Sequence, residues 1–360
     1  MVPGVLSIEG RNMRYAVSAS SPHGRALLDL ARQAKVDKAK PVNPFFYGKS
    51  RLGAPSAKQS VEFQAAQYGE NSEKIWAVNI HGYFAGGGMY WRESSRLAQA
   101  LGWWVLNPSL PGFGGSDALP WEELSMGGFA RRVIEMMDRL EIEKAVILGH
   151  SMGGAVAMQL AFSYPERVLG VIYRDGAGTP SWKDRNGLIV KALAPILPDM
   201  AAALDLGAAA VLDIPDVVAG RLGSTLRALF PDFHRNVRSL GRTLPAAAML
   251  FGSDLSGECY QVGNSSSIPL LAEWGLFDRI TPSRTAKEFT EVTGHEVVWV
   301  PGGHSWMLAR PASQAWVLKF HEKGKEFVDQ VETRIRSLST QHRVAAAIGQ
   351  NNIRPLRRQN

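Results

Sequence analysis

The sequence predicts an α/β protein: a mostly parallel sheet covered by helices on both faces, with a helical cap inserted late in the chain. Three observations predict it. From Lys74 onward, short apolar runs alternate with amphipathic stretches, the rhythm of a sheet whose parallel strands are buried on both faces. That rhythm stops between residues 180 and 262 and resumes at Ile268. The chain has 360 residues, 45% hydrophobic and 20% charged. This is ordinary globular usage with enough length for a large core, and it excludes global disorder and collagen-like repeats.

The elements follow in order. Val5 to Val17 alternates around Glu9-Gly10-Arg11 and predicts an opening hairpin. Residues 24–38 place Leu27, Leu28, Ala31 and Ala34 near helical spacing. A loop-rich stretch with Pro41, Pro44, Gly48, Gly53 and Pro55 follows, then a short strand over Val61 to Tyr68. Ile75 to Ile80 is a buried strand ending in His81-Gly82. Trp91 to Leu101 is a helix punctuated by Gly102, and Trp103 to Leu106 the next strand. After the loop Pro111-Gly112-Phe113-Gly114-Gly115-Ser116-Asp117 come a helix over Ser125 to Leu140 and a strand over Ala145 to Leu148. A helix of small residues spans Gly153 to Tyr164, and a strand spans Val168 to Tyr173. The 180–262 block has no clear strand and reads as Ala- and Leu-rich helices cut by Pro195, Pro198, Pro215, Pro231 and Pro245. Strands over Ile268 to Trp274 and His295 to Val300 then flank a helix over Ser283 to Val292, and a last helix starts near Ser313. The domain reading is an N-terminal extension over 1–73, a core over 74–179 and 263–338, a cap over 180–262 and a loosely ordered basic tail over 339–360.

Several function classes fall away. No run of about 18 apolar residues exists to span a bilayer; the best stretch, 194–215, is broken by Asp199, Asp205 and Asp213. The first 15 residues have no apolar stretch behind a basic one and do not read as a secretion signal, so the expected compartment is the cytoplasm. The single cysteine, Cys259, excludes an internal disulfide and a multi-cysteine metal site. The formal charge of +7 is concentrated at the ends: residues 1–60 carry 10 Lys and Arg against 3 acids, and residues 319–360 carry 9 against 4. The body is acidic, which argues against nucleic acid as a partner. Solvated tails are the plain reading of the basic ends, and weak contact with an anionic membrane surface the sharper one.

Gly149-His150-Ser151-Met152-Gly153 directly follows one strand and opens the next helix. A serine on such a sharp strand-to-helix turn is exposed at the sheet edge, and side chains two residues away would collide with neighbouring backbone. Its hydroxyl needs a base, and the base an orienting carboxylate, in the chain order Ser, Asp or Glu, His. Of the downstream histidines, His304 lies just beyond a strand, on the same sheet edge as Ser151. His295 begins that strand at the opposite edge, His234 lies in the inserted block, and His321 lies on the terminal helix. Asp278 ends a strand on the required edge; Asp175 is the runner-up and Asp254 a weaker third. The N–H of Met152, after the serine, is one candidate oxyanion donor. The second belongs to the Gly-rich loop after the first buried strand, with Tyr83 preferred and Phe84 the alternative. No GxGxxG joins a strand to a helix, so no dinucleotide site is indicated, and neither a metal nor a cofactor is expected.

Taken together, HGYFAGG, PGFGGSD, GHSMGG, WGLFDRITP and PGGHSWMLARP, in this order over about 74–318, resemble the α/β-hydrolase superfamily in its cap-bearing branch of esterases, lipases and carbon–carbon hydrolases. The resemblance implies Ser151 as nucleophile, Asp278 as acid, His304 as base, and Tyr83 and Met152 as oxyanion donors. Dehalogenases and epoxide hydrolases of the superfamily carry Asp where this chain has Ser151, which argues against both. Asn107-Pro108-Ser109-Leu110 stands where many members have Asp, outside the triad. A Trp that carbon–carbon hydrolases carry directly after the catalytic His is Ser305 here, with Trp306 one place later.

The leading expectation is a serine esterase for a small-molecule ester with an apolar acyl or alkyl group, suited to the apolar 201–222 stretch. Candidate pocket residues are His81, Gly82, Tyr90, Trp91, Phe113, Trp182 and Trp306, although core packing accounts equally for each aromatic. The alternatives are a carbon–carbon hydrolase or an acyltransferase on the same triad, and, behind these, a non-catalytic binding module.

Overall fold

A computed structural model of the chain describes residues 2–18, 75–179, 222–265 and 267–351. The sequence readings at 24–38, 41–55 and 61–68, the prolines at 195, 198 and 215, and Trp182 lie outside the described residues.

Eight strands form one sheet in the order β1-β2-β4-β3-β5-β6-β7-β8. β1 (Val2–Ile8) and β2 (Arg11–Ser18) are the expected hairpin. Its turn residues Glu9 and Gly10 both have positive φ, 48° and 75°, the backbone that two-residue hairpin turns require. β2 pairs antiparallel with β4 (Trp104–Pro108). From β4 across to β8 every pairing is parallel, through β3 (Trp76–Ile80), β5 (Ala145–His150), β6 (Val168–Arg174), β7 (Leu270–Gly275) and β8 (Val297–Val300). β4, β5 and β6 are buried at every residue, as strands covered on both faces must be.

The helices divide between the two faces. α1 (Trp91–Leu101) starts and stops where the sequence places it, because Gly102 adopts a left-handed cap at φ 72°. α2 (Met126–Arg139) is capped by the Ser125 hydroxyl, which accepts the Gly128 N–H at 2.9 Å. α3 (Met152–Ser163) follows β5 without a linker. α2 and α3 pack on one face through Phe129, Val133, Met137, Val156 and Leu160. α1, α9 (Ser313–Phe320) and α10 (Glu322–Asn351) cover the other through Leu97, Val317, Leu318, Phe327 and Val331. Helix α7 (Ser283–Thr293) joins β7 to β8, and the short α8 (Trp306–Ala309) follows β8.

Between β6 and β7 lie α4 (Leu222–Arg238), α5 (Leu240–Gly252) and α6 (Ser256–Gly263). Two expectations are corrected here. Pro231 and Pro245 do not cut this block but sit inside α4 and α5. Each removes one backbone hydrogen bond. That loss is offset by contacts just beyond it: the hydrogen bonds of Asn236 to Phe84 O, Ala85 O and Gly114 N–H after Pro231, and the burial of Ala246, Ala247, Leu250 and Phe251 after Pro245. The residues after Leu338, expected to be loosely ordered, continue α10 to Asn351; their run of alanines is strong helix-forming sequence. No helix of the described residues is long and apolar enough to cross a membrane.

Candidate active site

All the motif residues meet at the carboxyl ends of the parallel strands. Ser151 caps α3 in a left-handed backbone conformation, φ 54° and ψ −119°, which costs a non-glycine residue energy and persists only where its surroundings fix it. They do: Ser151 N–H donates to Arg174 O at 3.0 Å, and Ala177 N–H donates to Ser151 O at 3.1 Å, stitching the turn to the end of β6. The flanking glycines are required sterically. A Cβ on Gly149 would stand 2.2 Å from Gly153 O, and one on Gly153 would stand 2.3 Å from Ile80 O.

His304 and Asp278 come together as expected. His304 Nδ1 lies 2.8 Å from Asp278 Oδ2, and both side chains are buried. With Nδ1–H facing the carboxylate, Nε2 is left with its lone pair. The carboxylate has further donors: the N–H groups of Ile280 and Thr281 reach Oδ1 at 2.8 and 2.9 Å, and the Thr281 hydroxyl reaches Oδ2 at 2.5 Å. Burial acts to raise the Asp278 carboxyl. The charge and hydrogen bond of His304, helped by Asp175 and Thr281, outweigh it and hold the group below its ordinary range.

The other predicted residues divide into loop formers and braces. Met152 is the first residue of α3, where N–H groups lack an intrahelical acceptor. Tyr83 and Phe84 follow β3 on the loop that begins at Gly82; a Cβ on Gly82 would stand 3.1 Å from Ser151 Cβ, so this loop abuts the serine turn. Phe84 has φ 60°, and Tyr83 hydroxyl donates to Thr243 O at 3.2 Å. His81 is a brace: Leu110 N–H donates to its Nε2 at 2.9 Å, which leaves Nδ1–H for Gly82 O at 2.7 Å. Its burial lowers the ring to about 4, so it stays neutral. Asn107 likewise ties secondary structure, accepting from the Ser94 hydroxyl at 2.6 Å and donating to Ala16 O at 3.3 Å. Trp306, expected among the pocket aromatics, is fully buried and donates its ring N–H to Asp175 at 2.6 Å. Phe113 is buried against the rings of His81 and Tyr83, both 5.5 Å away.

Three contributors, His150, Tyr90 and Asn236, take roles that no motif assigns. His150 Nε2 lies 2.9 Å from His304 O, which can only accept, so Nε2 carries the proton. Its Nδ1 then accepts from Tyr90 hydroxyl at 2.6 Å, and that oxygen accepts the Gly82 N–H at 3.2 Å. Burial, then the charges of His304 and Arg174, hold His150 well below its ordinary range, so this chain of bonds keeps one polarity. Asn236 of α4 donates to Phe84 O at 2.8 Å and Ala85 O at 2.9 Å while accepting the Gly114 N–H at 2.8 Å. The inserted helices thus hold the Tyr83–Phe84 loop directly. A His-Ser pair and a lone Asn carry no local signature of these partners, which lie from 60 to 154 residues away.

A mostly parallel sheet with a strained serine turn and a His–carboxylate pair at one edge defines an α/β-hydrolase. Residues 78–311 match the family described as alpha/beta hydrolase fold. The chain belongs to this family and is a hydrolytic enzyme with a small-molecule substrate. It is 30% identical over 262 residues to an uncharacterized protein of Mycobacterium tuberculosis, covering 66% of this chain and 68% of that one. Over a shorter stretch of 104 residues it is 40% identical to the 2-hydroxy-6-oxo-6-phenylhexa-2,4-dienoate hydrolase of Burkholderia cepacia, 28% of this chain and 36% of that one. Among solved structures, the enol-lactonase of Burkholderia xenovorans LB400 superposes with a TM-score of 0.57 at 17% identity, covering 91% of this chain and all of that one.

Proposed function

We propose that the protein is a serine hydrolase that cleaves a carboxylic ester with an apolar acyl or alkyl group. The observation that carries this reading is the 2.8 Å contact of His304 with Asp278 at the sheet edge that also bears Ser151. In this mechanism His304 Nε2 takes the Ser151 proton as the hydroxyl oxygen attacks the ester carbonyl. The N–H groups of Tyr83 and Met152 hold the resulting oxyanion, with Phe84 the alternative to Tyr83. His304 then protonates the departing alcohol, and the acyl-enzyme is hydrolysed by a water that His304 activates. Asp278 stays ionised and keeps His304 in the productive tautomer. In an acyl transfer on the same triad, an alcohol would take the place of water.

The block 180–262 acts as a cap in this reading. An apolar substrate group is supported by Phe233 of α4, whose ring stands 5.6 Å from that of Phe84 beside the serine turn, and by the exposed Phe230 and Val237 on the same helix. The second reading is carbon–carbon bond hydrolysis, favoured by the similarity to the B. cepacia hydrolase. The experiment is turnover of p-nitrophenyl esters from acetate to palmitate, with a vinylogous diketo acid run in parallel, for wild type and Ser151→Ala. Ester turnover that falls by at least about 10³-fold in Ser151→Ala is the expected outcome. Turnover of the diketo acid alone would transfer the proposal to the second reading, and inertness to every substrate would defeat both.

A further inference from the structure

One carboxyl group at the site has no part in that mechanism. Asp175 follows β6, is fully buried, and has a left-handed φ of 44°, a strained backbone for a non-glycine residue. Its side chain is held from two sides, with Gly275 N–H donating to Oδ1 at 2.7 Å and the Trp306 ring N–H donating to Oδ2 at 2.6 Å. Gly275 lies three residues before Asp278 and Trp306 two residues after His304, so one side chain joins the loops of both partners. The ligand atoms of Asp175, Asp278 and His304 all lie within 4.8 Å of one another.

Two buried carboxyl groups this close, with no cation between them, do not both ionise, because each charge disfavours the other. The question is which of them holds the proton. Asp278 faces the His304 ring and receives two backbone N–H groups and a hydroxyl, all of which favour its charged form. Asp175 receives two neutral N–H groups. The nearest cation in sequence, Arg174, directs its guanidinium to Glu93, Asn79 and Gln314. On the neighbouring strand Glu273 bonds to Gln314 rather than to Asp175. The same three ligand atoms have the composition of a cation site, but they are already engaged by these donors.

We propose that Asp175 is a positioning residue that carries a carboxylic-acid proton beside Asp278, so that the pair presents one negative charge to His304. The proposal rests on the triad reading above. Burial, and after it the charge of Asp278, raise Asp175 well above the ordinary carboxylate range; His304, Tyr90, Tyr173, Arg174 and Glu273 are the other titratable groups around it. A single charge matters for the base. Two ionised carboxylates would stabilise the imidazolium and keep His304 protonated at neutral pH, where it must be free to accept the Ser151 proton. Trp306 and Gly275 meanwhile hold the acid in register with both loops.

The test compares wild type, Asp175→Asn and Asp175→Ala. Infrared difference spectra at neutral pH are expected to contain a protonated-carboxyl C=O band that Asp175→Asn removes. This readout is independent of the substrate, so its failure is separable from failure of the esterase reading. The absence of that band would overturn the proposal. In ester turnover, Asp175→Ala should lose about 10- to 100-fold in kcat with KM within about twofold, and Asp175→Asn, which keeps an N–H donor, should recover most of the loss. The acidic limb of kcat/KM should stay within about 0.3 unit of wild type in Asp175→Asn, because an uncharged group replaces an uncharged one. A fall of about one unit would reveal a removed negative charge and overturn the proposal. Should Asp175→Ala not fold, Asp175→Asn carries both readouts.

Discussion

Glu273, on β7, is fully buried, and its burial raises the carboxyl from an ordinary 4.5 to about 8. Gln314 donates to Oε1 at 2.8 Å, while Oε2 has no partner among the described residues. The folded protein therefore binds a proton here that the unfolded chain releases near 4.5. Between about 4.5 and about 8 the folded state holds more protons, so this group makes stability fall as pH rises through that window and level off above it. Glu273→Gln, which stays neutral, should remove this slope and leave the variant more stable than wild type at pH 9, by roughly 2 kcal/mol or more. Urea denaturation at pH 5, 7 and 9 measures it, and an unchanged slope would contradict the assignment. Such residues explain the limit of sequence reading at this scale. Ser151, Asp278 and His304 were legible because each sits in a short motif at a strand end. The roles of Glu273, Asp175 and His150 depend on which side chain lies opposite, and strand order sets that.

At the scale of elements, boundaries were read well wherever local chemistry marks them. Gly102 ends α1, Ser125 caps α2, and the Glu9-Gly10 turn sets the register of β1 against β2. The inserted block was read less well because proline is a local signal and burial is not. Its working contact is Asn236, buried on α4 and bonded to Phe84 O, Ala85 O and Gly114 N–H. Asn236→Leu leaves Ala85 O and Gly114 N–H buried without this partner and half-buried Phe84 O without it as well, which should cost about 1–3 kcal/mol for each group that water does not reach. If the oxyanion donor lies on this loop, kcat should fall by at least about tenfold as well. The neighbouring exposed residue Arg238 is the control, with Arg238→Ala expected to match wild type in both denaturation and turnover. Lost stability with undiminished kcat would separate the loop's anchoring from its chemistry.

Over the whole molecule, the reading of a parallel sheet sheathed on both sides by helices was recovered because every central strand is short, apolar and followed by a helix. Beyond the strands' identities, their order was not legible, since it depends on crossovers that leave no trace in any one segment. That order has a consequence for the long stretch between β2 and β3. Ser18 pairs with Val105 on one side of β4, and Trp76 pairs with Trp104 on the other. The stretch 19–74 therefore leaves and rejoins the sheet two strand spacings apart, roughly 10 Å, at the end remote from Ser151. The two described ends that flank it thus lie close together on the sheet. Replacing 19–74 with a Gly-Ser bridge of about five residues, which spans about 16 Å when extended, should give a shortened enzyme that unfolds cooperatively and retains the wild-type KM. Loss of cooperative unfolding would instead assign that stretch a share of the core.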